Sequence, residues 1–179
     1  MEPAVVLITG ISAAGKSTVA QRLAESIPDS VHIRGDLFRK MIVRGRHEMG
    51  MPPTPEAVAQ LRLRYRLAAA TADGYFRAGF TAVLQDVVLG EYLTEMIELI
   101  DARPLLVVAL VPSPDAVAAR ERGRNKTAYG DDGYGLAELD AELRERTPKL
   151  GLWLDTSAQT VDETVAEILA RAWTEGRVD

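Results

Sequence analysis

Gly10-Ile11-Ser12-Ala13-Ala14-Gly15-Lys16-Ser17 fills every fixed position of the phosphate-binding pattern G-x-x-x-x-G-K-[ST]. Such a loop turns backbone N–H groups, and the positive end of the helix that follows, toward an anion. Gly10 and Gly15 permit backbone conformations and close approaches that a Cβ would block. Ser12, Ala13, Ala14 and Thr18 complete the cradle. Lys16 reaches the β- and γ-phosphates of a nucleotide, and Ser17 offers a hydroxyl to Mg²⁺.

Phosphoryl transfer also calls for carboxylates, and two stand at the ends of apolar runs. Asp36 follows Val31-His32-Ile33 and would lie near a γ-phosphate. There it could take a proton from an attacking hydroxyl or hold a Mg²⁺-bound water. A helix N-cap is the alternative job for such an Asp. Asp86 closes the run Val83-Leu84-Gln85, the Walker-B arrangement that orients Mg²⁺. The pattern leaves open which of the two is the base and which is metal-side.

Cations form two groups. Arg120, Arg122, Arg124 and Lys126 surround the start of a glycine-rich stretch, 123–135. On a lid spanning about 120–135 they would neutralise charge developing on phosphate oxygens, with Arg120 and Arg124 in the catalytic positions. Arg120 also serves the nucleotide. The second group, Arg34, Arg39, Lys40, Arg44 and Arg46 against Asp36 and Glu48, follows Asp36, where an acceptor would lie. Arg62 and Arg66 are four apart and share a helix face. The acceptor region is therefore placed at about 36–66, with Asp36, Arg39 and Asp86 contacting the substrate. The basic excess suggests an anionic or multiply polar acceptor, or simply a solvated face. Asp155-Thr156-Ser157-Ala158 could edge a nucleobase or form an ordinary turn.

These residues need a scaffold. Ala4–Ile8, 31–33, 80–85, 105–111 and 152–154 read as strands, alternating with helical patterns. Thr54-Pro55 and Ser113-Pro114 are helix starts, and Thr160-Val161-Asp162-Glu163 is a capping box. Val58, Leu61, Tyr65, Ala68, Ala72 and Phe76 make 55–78 a long amphipathic helix. Strands alternating with helices imply a parallel sheet covered on both faces, with ligands at the carboxyl ends of its strands.

The chain has 179 residues, a net charge of −5 and no cysteine. That length suits one domain, 1–179. The missing cysteines exclude disulfides, thiolate metal sites and thiol nucleophiles. The acidic balance gives no global case for nucleic acid or an anionic membrane. The longest apolar stretch, Leu105–Val111, is far below the ~20 residues of a membrane span. No basic-then-apolar leader is visible, so the expected setting is soluble and cytoplasmic.

The P-loop, Gly35-Asp36, the segment Gln85-Asp86-Val87-Val88-Leu89-Gly90, the arginine-rich 120–126 stretch and Leu154-Asp155-Thr156-Ser157 together resemble the small P-loop kinases. The chloramphenicol phosphotransferase-like proteins are most similar, with gluconate-kinase-like and shikimate-kinase-like proteins further off. The resemblance implies a five-stranded parallel sheet in order 2-3-1-4-5 with helices on both faces and a lid. It also implies ATP with Mg²⁺, and a small-molecule hydroxyl as acceptor. It makes Asp36 the base, Lys16 and Ser17 the phosphate and metal contacts, and Arg120 and Arg124 the lid arginines. A switch GTPase would need Asp where Ala128 follows Asn125-Lys126-Thr127. A polynucleotide 5′-hydroxyl kinase using the basic segment, and an ATPase module without a small acceptor, are the competing readings.

Overall fold

The computed structural model describes residues 2–122 and 135–178. Five strands form one all-parallel sheet: β1 (Val5–Thr9), β2 (Ser30–Arg34), β3 (Thr81–Gln85), β4 (Leu105–Leu110) and β5 (Leu152–Leu154). Their spatial order is β2-β3-β1-β4-β5, as the resemblance implies. Each lies within about a residue of its expected bounds, because fully buried strands must be apolar on both faces. β1, β3 and β4 are buried along their whole length.

Two cores flank the sheet. Val6, Ile8, Leu106, Val108 and Leu110 pack under α1 (Lys16–Glu25), α5 (Pro114–Arg122), α6 (Leu136–Ala141) and α7 (Val161–Glu175). Val5, Leu7, Ala82, Leu84 and Val107 pack under α3 (Pro55–Arg77) and α4 (Glu91–Leu99). The alternation is the period-2 projection of side chains from a strand. On α3, Tyr65, Ala68, Ala69 and Ala72 face inward; the alanines let this long helix lie close to the strands.

The helix starts read from sequence are all present. Thr54 Oγ1 accepts from Ala57 N at 3.2 Å, with Pro55 in the first turn. Ser113 Oγ accepts from Ala116 N at 3.3 Å. Thr160 and Glu163 form the reciprocal capping box. Three helices carry weaker signals: α2 (Gly35–Lys40), α4 and α6, all short, the last running into a π-helical turn, Glu142–Arg146. Arg34, not Asp36, is the N-cap of α2; Asp36 stands inside its first turn and makes no capping bond. Among the described residues no helix is long and apolar enough to cross a membrane.

Candidate active site

The phosphate cradle lies between β1 and α1. Gly10 sits at φ +146°, and a Cβ there would approach the Leu110 carbonyl oxygen at 2.7 Å. Gly15 caps α1 in the left-handed region at φ +95°, and Ala13 also has a positive φ, +60°. This twisted path leaves the amides of Ala13, Gly15 and Ser17 without an acceptor among the described residues. Three orphan donors at one helix N-terminus, in a loop lined by buried Ser12, Ala13 and Ala14, fit a polyphosphate. The Lys16 ammonium crosses the loop to the Ile11 carbonyl at 2.7 Å, so it is held over the cradle. Ser17 and Thr18 are exposed on the first turn of α1.

Arg120 projects from the last turn of α5 across this loop. One guanidinium nitrogen donates to the Ala14 carbonyl at 3.2 Å and the other to the Thr156 carbonyl at 2.7 Å. It thereby joins the P-loop to the β5–α7 turn. In that turn Asp155 accepts from the Ser157 hydroxyl and from the Ser157 amide at 2.9 Å, the ordinary turn chemistry. Those two bonds hold the Asp155 carboxyl below its usual value. Arg122 is exposed. Arg124 and Lys126, with 123–134 of the expected lid, lie outside the described residues.

The two candidate carboxylates have different surroundings. Asp86 is 2% exposed. Arg64 of α3 grips it with both arms of its guanidinium, Nε on Oδ2 at 2.6 Å and Nη2 on Oδ1. Oδ1 also accepts from the Val87 amide at 2.7 Å. Asp36, whose side chain is 30% exposed, receives Lys40 Nζ on Oδ2, while Arg34 Nε stands 3.6 Å from Oδ1. Burial is the largest single influence on Asp36 and pushes its carboxyl up. The Lys40 hydrogen bond and the charges of Lys40, Arg34 and Arg64 together outweigh it, so the carboxyl lies below its ordinary value.

Gly35 brings the two together. It opens α2 beside Asp36, and a Cβ on it would overlap the Asp86 carboxylate. The segment after Asp86 is pinned as well. The Tyr65 hydroxyl donates to the Val87 carbonyl at 2.8 Å. Thr9 Oγ1 donates to the Val88 carbonyl at 2.7 Å and accepts from its amide at 3.1 Å. The Gly90 amide donates to Thr147 Oγ1 at 2.7 Å, just past the π-helical turn.

Other expected acceptor contacts are engaged elsewhere. Arg39 pairs with Glu48, as does Arg46 at 2.9 Å. Arg62 makes a two-armed bond to Glu95 of α4 and lies over the Tyr92 ring. The residue that meets Asp86 is Arg64, which the reading of Arg62 and Arg66 passed over. Residues two apart on a helix point about 200° apart, so Arg64 faces away from that pair. Its stripe mates Ala57, Leu61 and Ala68 were the available signal. Thr9 and Thr147 carry no local signal: a threonine's distant backbone partner is set by topology.

The AAA domain family matches residues 5–149, and the chain belongs to that family of P-loop kinases. No curated protein matches it. Solved structures share the fold. A sugar kinase from Janibacter sp. HTCC2649 is 20% identical with a TM-score of 0.69, covering 95% of this chain and 94% of that one. A gluconokinase from Sinorhizobium meliloti 1021 is 21% identical with a TM-score of 0.62, covering 94% and 90%. The APS kinase of Mycobacterium tuberculosis, in complex with AMPPNP and APS, is 17% identical with a TM-score of 0.65, covering 94% and 96%. The fold is thus that of P-loop kinases.

Proposed function

We propose that this protein is an ATP-dependent kinase that transfers the γ-phosphoryl group to a hydroxyl of a small-molecule acceptor. The observation that carries the reading is the division between the two carboxylates, set beside a P-loop with orphan amides. Asp86 has both oxygens engaged by Arg64 and one also by the Val87 amide. A carboxylate so occupied is a poor proton acceptor. Asp36 accepts from Lys40 on Oδ2 alone; its Oδ1 is buried without a hydrogen-bond partner, the side chain as a whole is partly exposed, and the carboxyl stays ionised. Asp36 is therefore the base and Asp86 the fixed charge beside it.

The P-loop amides and Lys16 hold the β- and γ-phosphates. Arg120, reaching over the Ala14 carbonyl, adds positive charge on the nucleotide side. Asp36 orients the acceptor hydroxyl and takes its proton as the new oxygen–phosphorus bond forms. The bond from the γ-phosphorus to the β–γ bridging oxygen breaks, and ADP leaves with that electron pair. The exposed Ser17 hydroxyl suits Mg²⁺, which takes phosphate oxygens and waters beside one or two protein ligands. When bound, Mg²⁺ would neutralise charge between the β- and γ-oxygens. Asp86, paired with Arg64, would act on it only at a distance.

The test is transfer of labelled γ-phosphate from Mg·ATP across hydroxyl compounds, oligonucleotide 5′ ends and water alone. The expected result is a phosphorylated small molecule, lost in Lys16→Ala with the fold unchanged by circular dichroism. Label moving only to 5′ ends supports the polynucleotide reading instead, and label moving only to water supports an ATPase.

A further inference from the structure

Two hydrogen bonds set the register between α1 and β2. Ser30 Oγ donates to the Ala24 carbonyl at 2.5 Å, and His32 Nδ1 donates to Gln21 Oε1 at 2.9 Å. α1 leaves the P-loop at the carboxyl end of β1 and returns to the first residue of β2, so it runs antiparallel to that strand. Two residues along β2 advance about 6.6 Å, close to one turn of α1 at about 5.4 Å. The step after the His32–Gln21 pair is therefore Arg34 beside the first turn of α1. Ser30, His32 and Arg34 share one face of β2, and Ser17, Gln21 and Ala24 share one stripe of α1. Arg34 thus rises from the strand position opposite Ser17, which is exposed beside the phosphate cradle.

The far end of the Arg34 side chain lies at the base. Its Nε stands 3.6 Å from Asp36 Oδ1, the oxygen that is buried without a hydrogen-bond partner. That separation is an ion pair, too long for a hydrogen bond. The Arg34 guanidinium makes no hydrogen bond among the described residues, and its side chain is 45% exposed. The neighbouring cations are engaged: Lys40 donates to Asp36 Oδ2, and Arg64 grips Asp86 with both arms. Arg34 therefore brings a fork of N–H donors to the space between the cradle and Asp36. A γ-phosphoryl group passing from ATP to a hydroxyl held at Asp36 crosses that space. Its three equatorial oxygens carry the charge of the transition state, and a planar guanidinium can meet two of them at once.

We propose that Arg34 is a catalytic residue whose guanidinium donates to the γ-phosphoryl oxygens in the transition state, from the acceptor side. The proposal rests on the kinase reading above and adds a residue to it. The acceptor oxygen–phosphorus bond forms, the bond to the β–γ bridging oxygen breaks, and the proton goes to Asp36. Arg34 keeps its protons throughout. The Asp36 charge holds the guanidinium in place before nucleotide arrives, so little reorganisation is left for the reaction. As Asp36 takes the proton, that charge is cancelled, and the Arg34 charge turns wholly to the phosphoryl group.

Titrating aluminium fluoride, a planar mimic of the transferring group, into protein saturated with Mg·ADP reads this contact without an acceptor. Arg34→Gln is expected to weaken fluoride capture by roughly 10²–10³-fold, the range for losing a preorganised donor, with Mg·ADP affinity unchanged. Arg34→Lys, which keeps the charge without the fork, should recover part of the loss. Both variants should fold as the parent does, since the side chain is exposed and makes no cap bond on α2. In labelled-phosphate transfer both should lower kcat while KM for ATP holds. Fluoride capture that ignores both variants overturns the proposal. So does equal weakening of Mg·ADP and its fluoride complex, which makes Arg34 a ground-state phosphate contact. A raised acceptor KM with kcat unchanged also overturns it and gives Arg34 to an anionic acceptor. Wild-type protein that binds Mg·ADP normally, yet neither captures aluminium fluoride nor transfers label, overturns the kinase reading itself and this proposal with it.

Discussion

The Asp86 carboxylate rests against the Cα of Gly35, in the space a side chain would fill. The contact joins the end of β3 to the first residue of α2 and fixes where Asp36 begins. Since Arg64 clamps Asp86 from the other side, the carboxylate has little room to yield. A methyl group at position 35 must displace either the ion pair or the start of α2. Gly35→Ala is expected to cost about 1–3 kcal/mol in chemical denaturation, the range for overpacking a close-packed site. In an Asp86→Ser background the same substitution should cost less, and equal costs in both backgrounds would show that the contact is not the cause.

Arg64 and Asp86 should be strongly non-additive. Arg64 is only 14% exposed and Asp86 2%, so losing the guanidinium leaves a buried charge without its counter-ion. Arg64→Met is expected to destabilise by about 3–5 kcal/mol, and Arg64→Met with Asp86→Asn by much less. Urea titration of the two single variants and the double variant closes the cycle. Costs that simply add would mean that the pair is not coupled.

Asp36→Asn should separate chemistry from binding. Removing a general base lowers kcat by roughly 10²–10⁴-fold, while Mg·ATP affinity, set at the P-loop, should hold. Isothermal titration with a non-hydrolysable ATP analogue reads the second quantity. Collapse of nucleotide binding with normal saturating turnover would return Asp36 to the metal side.

The charge around Asp36 predicts a direction in pH. Its folded carboxyl lies below the unfolded value, so the folded state holds the proton more weakly. The associated stability is fully present above the unfolded value and is lost as pH falls through the folded one. As a base, Asp36 should therefore keep kcat free of an acid limb from neutrality down to the ordinary carboxylate range. Lys40→Met removes the hydrogen bond that most depresses this carboxyl, so the acid limb should move to higher pH. An unmoved limb would assign it to another group.

Arg120→Ala should weaken nucleotide binding and loosen the loop together. The side chain ties the Ala14 carbonyl to the Thr156 carbonyl, and no other described side chain makes that connection. Amide exchange at 11–15 and 155–158 is expected to quicken in the variant, with a raised KM for ATP. Unchanged exchange at both segments would reduce Arg120 to surface charge.

Much of this molecule is legible locally. The P-loop conformation follows from Gly10 and Gly15, whose positive φ values belong to the loop itself. The strands follow from apolar runs, since a parallel strand covered on both faces has no polar side to show. Thr54, Ser113 and Thr160 announce their helices because a cap bond spans only three residues. The positions of Asp36 and Asp86 at strand ends are read the same way. What each carboxylate is able to do depends on contacts between residues far apart in the chain. Arg64 reaches Asp86, 22 positions away, only because α3 lies across the sheet with that stripe inward. How much of the basic segment's charge is paired depends on Glu48 and Glu95 lying against Arg39 and Arg62. Charge counted along a sequence records which ions are near in the chain, and the tertiary structure decides which are near in space. Only the second enters Coulomb's law, and so only the fold distinguishes the buried carboxylate clamped by Arg64 from the partly exposed one that Lys40 and Arg34 face.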